Sequence, residues 1–165
     1  MSTNKKDQFS LIYKENAQSI IRLCYLYLKD EELAQDAAQE TFIKAWRKLS
    51  AFKENSSINT WLTSIAINTC KSLMRQKSFK NTVSLNEAIK VHNKAPDSET
   101  IMSVAIAVES LPTDLRVVVL LKYYRGLKSK EIAKILKIPA TTVNYRLSKA
   151  KEILKEKLKE DFDDD

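Results

Sequence analysis

Glycine occurs once in the 165 residues and proline three times, so the chain has almost none of the residues that tight hairpins and strained loops require. A glycine-rich loop to cradle phosphates is excluded by the same count. With a single histidine, His92, and two cysteines, Cys24 and Cys70, no metal site is expected. The cysteines sit far apart in sequence within apolar helical patterns and read as buried free thiols rather than a disulfide or ligands. No grouping of Ser, His, Asp or Cys suits nucleophilic chemistry, so neither catalysis nor a cofactor is expected. The longest aliphatic run, Val117 to Leu121, is far too short to cross a bilayer. The opening MSTNKKDQFS has no apolar segment behind its lysines that could serve as a secretion signal, which leads to the expectation of a cytoplasmic protein without stable membrane insertion.

What remains is helix-forming material. The chain is 44% hydrophobic and 30% charged, enough for one or two small cores, and it is rich in Lys, Leu, Ala, Glu and Ile. The expected fold class is all-α. Lys and Arg outnumber Asp and Glu by 28 to 21, a net charge of +7. Such an excess draws the chain to polyanions, with nucleic acid ahead of membrane surfaces.

Hydrophobic spacing is helical twice between residues 7 and 52. Phe9, Ile12, Tyr13, Ile20, Leu23, Cys24 and Tyr27 form one pattern, and Leu33, Ala37, Ala38, Phe42, Ala45, Trp46 and Leu49 form the next. The break falls near Lys29, Asp30 and Glu31. A polar stretch at 53–57 interrupts the pattern, which resumes with Trp61, Leu62, Ile65, Ala66, Thr69 and Leu73, with Asn59 or Thr60 available as a cap. Residues 81–100 lose aromatics and periodicity and have the composition of a flexible tether. The spacing therefore predicts two small helical domains, 1–80 and 101–165, joined by the 81–100 linker. In the second, a helix is expected over 101–110. Another starts at Pro112, runs to Tyr124 and closes at Gly126. Two more cover Ser129–Leu136 and Ala140–Lys157, and the acidic tail Glu160–Asp165 is expected to fray.

Three groups of residues point to binding chemistry. The segment Ser129 to Ala150 has the anatomy of a helix-turn-helix, with Ile132, Ala133, Leu136, Ile138, Val143 and Leu147 available to pack two helices. Its second helix projects Thr141, Thr142, Asn144, Tyr145, Arg146, Ser148 and Lys149, donors suited to base edges and phosphates of a major groove. In the first domain, Phe52, Ser56, Ser57, Asn59, Thr60, Trp61, Asn68, Lys71, Arg75 and Lys77 surround one loop and the helix after it. Aromatics mixed with amides and cations suit unpaired bases, although Phe52 and Trp61 at helix ends also fit a core and the cations a solvated face. The third group sets Asp36, Gln39, Glu40 and Thr41 beside Leu33, Phe42 and Ile43. On physical grounds alone it reads as an ordinary solvated helix face.

The wording of the motifs adds to this. Gln39 to Arg47 (QETFIKAWR), Thr60 to Thr69 (TWLTSIAINT), Leu111 to Arg116 (LPTDLR) and then the helix-turn-helix, in that order and spacing, resemble the extracytoplasmic-function sigma factors of bacterial RNA polymerase. The likeness spans about Phe9 to Leu158. It implies a two-domain subunit that binds core polymerase, directs it to promoters in response to an envelope or other stress, opens the minus-ten element and is released early in elongation. By the same resemblance, Leu33, Asp36, Gln39, Glu40 and Ile43 would dock on the clamp helices of the largest polymerase subunit. Phe52, Ser56, Ser57, Asn59, Thr60 and Trp61 would hold a flipped base of the non-template strand. Asn68, Lys71 and Arg75 would grip the minus-ten region. The residues from Thr141 to Lys149 named above would meet the minus-thirty-five element as duplex, the tether would thread the RNA exit path, and an anti-sigma factor would be a partner. Lys128 stands where the family commonly has a capping Ser, with Glu131 three residues on. Thr141, Asn144 and Tyr145 also depart from common family residues, so the upstream element read by this chain would differ from common ones.

Two rival classes draw on the same residues. A ligand-sensing or dimeric helix-turn-helix regulator accounts for 112–158 but leaves Gln39–Arg47 and Thr60–Thr69 unexplained. A nuclease or recombinase needs metal-binding acids or a nucleophile, and Asp30, Glu31, Glu32, Asp36 and Glu40 fit a helix start and a partner face better.

Overall fold

The computed structural model describes residues 4–81 and 99–163, and every regular element among them is helical. The chain divides into two compact units, Met1–Ile89 and Lys90–Asp165. The first contains α1 (Lys5–Leu28), α2 (Glu31–Lys48) with a short 3₁₀ turn at Leu49–Ala51, and α3 (Ile58–Asn81). The second contains α4 (Glu99–Glu109), α5 (Thr113–Val119) continuing as a π turn through Leu120–Tyr124, α6 (Ser129–Leu136) and α7 (Ala140–Asp163). Residues 82–98, the middle of the expected tether, lie outside the described residues. Asn81, Glu99 and Thr100, expected at its two ends, are helical.

In the first unit α2 packs against both α1 and α3, and its buried face explains how. Ala34, Ala37, Ala38 and Ala45 meet the neighbours with single methyl groups, which lets helix axes approach closely. The larger volume comes from the flanking helices, with Ile20 and Leu23 of α1 and Leu62 and Ile67 of α3 fully buried. Each such side chain contributes roughly 1.5–3 kcal/mol when removed from water. Three buried threonines satisfy their hydroxyls inside their own helices: Thr41 on Ala37, Thr63 on Asn59 and Thr69 on Ile65 carbonyls. Cys24 and Cys70 are both buried free thiols. They meet across α1 and α3, where the hydrogen bond to Cys24 and then burial push the Cys70 thiol up, keeping it protonated.

Helix boundaries follow local chemistry. Asp30 caps α2, its Oδ1 accepting from the Leu33 N–H at 3.0 Å while its Oδ2 receives Lys77 Nζ of α3 at 2.7 Å. Ser57 caps α3 by accepting from the Thr60 N–H at 3.1 Å, so the cap is Ser57, and Asn59 and Thr60 lie within the first turn. The serine wins because it stands just before Ile58, the first helical residue, with its oxygen in reach of a free N–H of the first turn.

In the second unit, Pro112 is the residue before α5 rather than its first helical residue, and its carbonyl accepts from the Leu115 and Arg116 N–H groups. Arg116 folds back into the core and donates from Nη1 to the Leu111 carbonyl at 2.8 Å, which ties the LPTDLR segment into one rigid corner. The helix from Thr113 reaches Tyr124 with a widened last turn, Arg125 N–H bonding the Leu120 carbonyl. Gly126, at φ +69°, reverses the chain so that the Leu127 N–H returns to the Leu121 carbonyl at 3.0 Å. The backbone of α7 stays helical through Asp163, so the first four residues of the acidic tail extend a helix instead of fraying from Glu160.

The Asp30 carboxyl is held below its ordinary pKa, first by the Leu33 N–H and then by Lys77. A lowered folded-state pKa adds stability that is complete above the unfolded carboxylate range and lost as pH falls through the folded value. Urea unfolding of Asp30→Asn, which keeps a capping oxygen but no charge, should show a loss of about 1 kcal/mol or less at pH 7. The difference from wild type should shrink below about pH 4, where wild type also loses the charge. Asp30→Ala should cost about 1 kcal/mol more, because the cap goes too.

Candidate partner and nucleic-acid surfaces

On α2 the residues opposite the alanine face are Asp36, Gln39, Glu40 and Ile43, at helical spacings of three and four. All four are exposed, Ile43 at 46%, and Leu33 one turn earlier is half-buried. Glu40 pairs with Lys44 at 3.6 Å, and Lys44 also donates to Thr69 Oγ1 of α3 at 3.2 Å. An exposed pair of this kind contributes at most about 1 kcal/mol, so a partner's cation could replace Lys44 at small cost. Thr41 and Phe42, grouped with this stripe on the sequence, are buried instead. Thr41 lies among the alanines of the buried face, and Phe42 lies on the side facing α1, where its ring meets Tyr13.

Beside the stripe runs a groove of about 580 Å³ between α1 and α2, lined by Phe9, Tyr13, Ala17 and Ile21 on one side and Gln35, Gln39, Phe42, Ile43 and Trp46 on the other. Tyr13 and Trp46, expected in the core, are 49% and 40% exposed. The Phe9 ring meets Trp46 edge-on at 5.2 Å and Tyr13 meets Phe42 at 4.8 Å, while Lys5 Nζ lies 4.6 Å from the Trp46 ring centroid. Sequence reasoning missed this groove. The signal was a second stripe on α1, Phe9, Tyr13, Ala17 and Ile21 at steps of four, beside the core stripe of Ile12, Ile20, Leu23 and Tyr27.

The loop before α3 begins at Phe52, whose ring lies 4.8 Å from that of Trp61 at an interplanar angle of 38°. Both rings are half-buried, so each spends one face on the other and keeps part of its edge in solvent. Ser56 and Ser57 are exposed and Asn59 and Thr60 half-buried. The hydroxyls of Ser57 and Thr60 are 3.0 Å apart, which commits both to the helix start. Between Phe52 and Ser56, Glu54 adopts φ 52°, an uncommon conformation for a residue with a side chain. Farther along α3, Asn68 and Arg75 are exposed and Lys71 half-buried, all on one face. Lys77, counted with this basic group on the sequence, is paired to Asp30 and turns to the α2 side.

The helix-turn-helix forms from α6 and α7, joined by Lys137 at φ 56°, half-buried Ile138, and Pro139, whose carbonyl accepts from the Thr142 and Val143 N–H groups. Ile132, Ile135 and Leu136 of α6 bury against Val143, Leu147 and Ala150 of α7. The opposite side of α7 presents Thr141, Asn144, Tyr145, Ser148 and Lys149 to solvent, with Thr142 and Arg146 half-buried beside them. Tyr145 is 63% exposed, and Lys149 Nζ stands 5.8 Å from its ring centroid. Asn144 accepts a hydrogen bond from the Ser129 hydroxyl at 2.8 Å. At the start of α6, Glu131 Oε2 accepts from the Lys128 N–H at 2.8 Å. This is half of a capping box, since an ammonium cannot supply the reciprocal acceptor.

Residues 12–80 match the family Sigma-70 region 2 and residues 102–154 match Sigma-70, region 4. The chain is 31% identical to the ECF RNA polymerase sigma-E factor of Escherichia coli (strain K12), over 93% of this chain and 89% of that protein. It is 30% identical to the RNA polymerase sigma-H factor of Pseudomonas aeruginosa, over 90% of this chain and 85% of that protein. Among solved structures, the sigma factor RpoE from Bartonella quintana, in complex with the anti-sigma factor NepR, aligns with a TM-score of 0.80 at 24% identity, covering 92% of this chain and 97% of that one. CnrH, in complex with the cytosolic domain of CnrY, aligns at 0.65 and 21% identity, covering 93% and 88%. These two likenesses concern the fold.

The α3 surface separates structural from binding side chains. In urea unfolding, Asn68→Ala and Arg75→Ala should stay within about 0.5 kcal/mol of wild type, as exposed positions do. Trp61→Ala, which removes a half-buried ring packed on Phe52, should cost about 2 kcal/mol.

Proposed function

The chain belongs to the extracytoplasmic-function group of the sigma-70 family, and from that membership we propose that its two units divide the work of promoter recognition, the first taking core RNA polymerase and the unpaired minus-ten strand, the second the duplex upstream element. As a member of that family it is a transcription-initiation factor that directs RNA polymerase to specific promoters.

One arrangement carries the assignment of surfaces. Within the region 2 match, α2 turns an acidic and amide stripe outward while α3 turns an amide and basic stripe outward, and the two helices share one core. A cationic partner and a polyanion can therefore be held at once. Asp36, Gln39, Glu40 and Ile43, with Leu33 at the margin, serve the polymerase, Ile43 supplying apolar contact inside a polar rim. Phe52, Ser56, Ser57, Asn59, Thr60 and Trp61 frame the pocket for an unpaired base, which stacks on the exposed part of the paired rings. Asn68 meets a base edge, and Lys71 and Arg75 neutralise phosphates. In the second unit Thr141, Thr142, Asn144, Tyr145, Arg146, Ser148 and Lys149 form the face that enters the major groove.

The first unit decides between this function and a simple helix-turn-helix regulator. Such a regulator leaves the outward stripe of α2 and the Phe52–Trp61 pair without a purpose. The factor acts without catalysing a reaction of its own, and it works in the cytoplasm, where polymerase and promoter are. Among the described residues no helix is long and apolar enough to cross a membrane. The solved sigma factors of like fold are bound to anti-sigma partners, and regulation of this chain by such a protein, released under stress, fits the same pattern.

Run-off transcription tests the core of the proposal: the chain plus purified core polymerase should initiate at defined promoters without any further factor, and a lack of initiation with core alone would remove it. Reversing both charges, Asp36→Lys with Glu40→Lys, should weaken core binding at least several-fold while leaving helical content intact, since a rim charge is commonly worth about 1 kcal/mol or less. Asn68→Ala should keep its melting temperature but lose permanganate reactivity of promoter thymines. Normal opening in that variant would reduce Asn68 to an ordinary helix residue.

A further inference from the structure

The hydrogen bond between Ser129 and Asn144 crosses from the first residue of α6 to the exposed face of α7. Its consequence lies in the chemistry of the amide. Asn offers one carbonyl oxygen and an NH₂ group with two donors, set on opposite sides of a planar group. The Ser129 hydroxyl takes one of the two acceptor sites of Oδ1 and draws the oxygen toward α6, which leaves the NH₂ group as the end offered to the exposed face of α7.

The bases distinguish these two ends. An asparagine that reads adenine needs both, donating to N7 and accepting from the N6 amine in one plane. Guanine offers two acceptors, O6 and N7, and cytosine presents a donor. An amide restricted to its NH₂ end therefore suits guanine, fits adenine by only one bond and opposes cytosine. We propose that Ser129 is a positioning residue for upstream-element specificity: it fixes Asn144 as a donor-only reader, so that the base facing Asn144 is guanine and adenine is rejected. This rests on the helix-turn-helix reading duplex DNA, as assigned above.

Two further observations support the role. Ser129 is the first helical residue of α6, while Lys128 occupies the capping position and Glu131 satisfies the Lys128 N–H. The Ser129 hydroxyl is thus not the cap of α6, and its recorded bond runs to Asn144 instead. In addition, Asn144 shares its exposed face with no buried core residue, while the stripe of Val143, Leu147 and Ala150 anchors the helix behind it. The amide is therefore oriented by Ser129 rather than by packing.

The test is selection of bound DNA from a randomised duplex library by the full chain assembled with bacterial core polymerase, for wild type, Ser129→Ala, Ser129→Thr and Asn144→Ala, with melting temperatures recorded for each. Asn144→Ala should flatten the preference at one base position. At that same position wild type should favour guanine over adenine by about tenfold, the discrimination of a good base contact. Ser129→Ala should narrow that ratio to about threefold or less by admitting adenine, and Ser129→Thr, which keeps the hydroxyl, should retain it. Wild-type preference for adenine there, an unchanged profile in Ser129→Ala, or a uniform loss of affinity in Asn144→Ala with no change of sequence preference would overturn the proposal. If wild type enriches no sequence at all, the assignment of the helix-turn-helix to duplex reading falls, and the proposal with it. A wild-type preference that survives in Ser129→Ala removes the proposal alone.

Discussion

The first unit depends on α2 having alanine where it meets its neighbours. Ala34, Ala37, Ala38 and Ala45 let one helix lie close against two others, and that double contact fixes the rotation of α2 about its axis. Once the rotation is fixed, the outward stripe follows from helical geometry alone. Asp36, Gln39, Glu40 and Ile43 have nowhere to go but solvent, and Phe42 and Trp46 line the edge toward α1. A larger side chain at Ala37 or Ala45 would have to push a helix away, because an interior packed at crystal density has no space to give. The exposed surface is thus set from inside.

Scarcity of glycine shapes the connections in a comparable way. Lys29, Glu54 and Lys137 adopt φ near +55° although none is glycine, and each sits at a junction that reverses the chain. Glycine would relieve steric strain of about 1 kcal/mol at each site, yet would loosen the unfolded chain and the turn. The connections are short and the helices begin on defined acceptors, Asn4, Asp30 and Ser57. In the first unit the pairing of Lys77 with Asp30 then links the far part of α3 to the start of α2, and Lys44 with Thr69 links the middle of α3 to the far part of α2, so the two helices are held in register at two points.

Much of this was legible because helical periodicity is a strong signal in a chain nearly free of glycine and proline. The starts and ends of α1, α2 and α6 come within a few residues of where capping and apolar spacing put them, and the exposure of Asp36, Gln39, Glu40, Asn68, Asn144 and Tyr145 follows from their distance from the apolar stripe. The errors have a common cause. Tyr13 and Trp46 went into the core, and Lys77 into the basic face, because one-dimensional periodicity assigns each residue to inside or outside and cannot represent a groove or a partner contributed by another helix. Helix α1 carries two apolar stripes, only one of which is covered. Similarly, the cap falls on Ser57 rather than Asn59 or Thr60 because α3 starts at Ile58, a boundary that periodicity places only to within a few residues.

The start of α6 shows how local stability and recognition compete for the same atoms. A serine or aspartate at position 128 would complete the capping box and stabilise the helix by about 1 kcal/mol. Lys128 forgoes this, leaving Glu131 to satisfy its N–H alone. The cation instead adds to the positive charge of a chain that already carries Lys149 and Lys151, and such charge raises association rates with polyanions. With the hydroxyl one residue later, at Ser129, it reaches Asn144 rather than its own backbone. A helix start made slightly weaker thus adds a positive charge and a hydroxyl that bonds Asn144, both of which serve the proposed reading of duplex DNA.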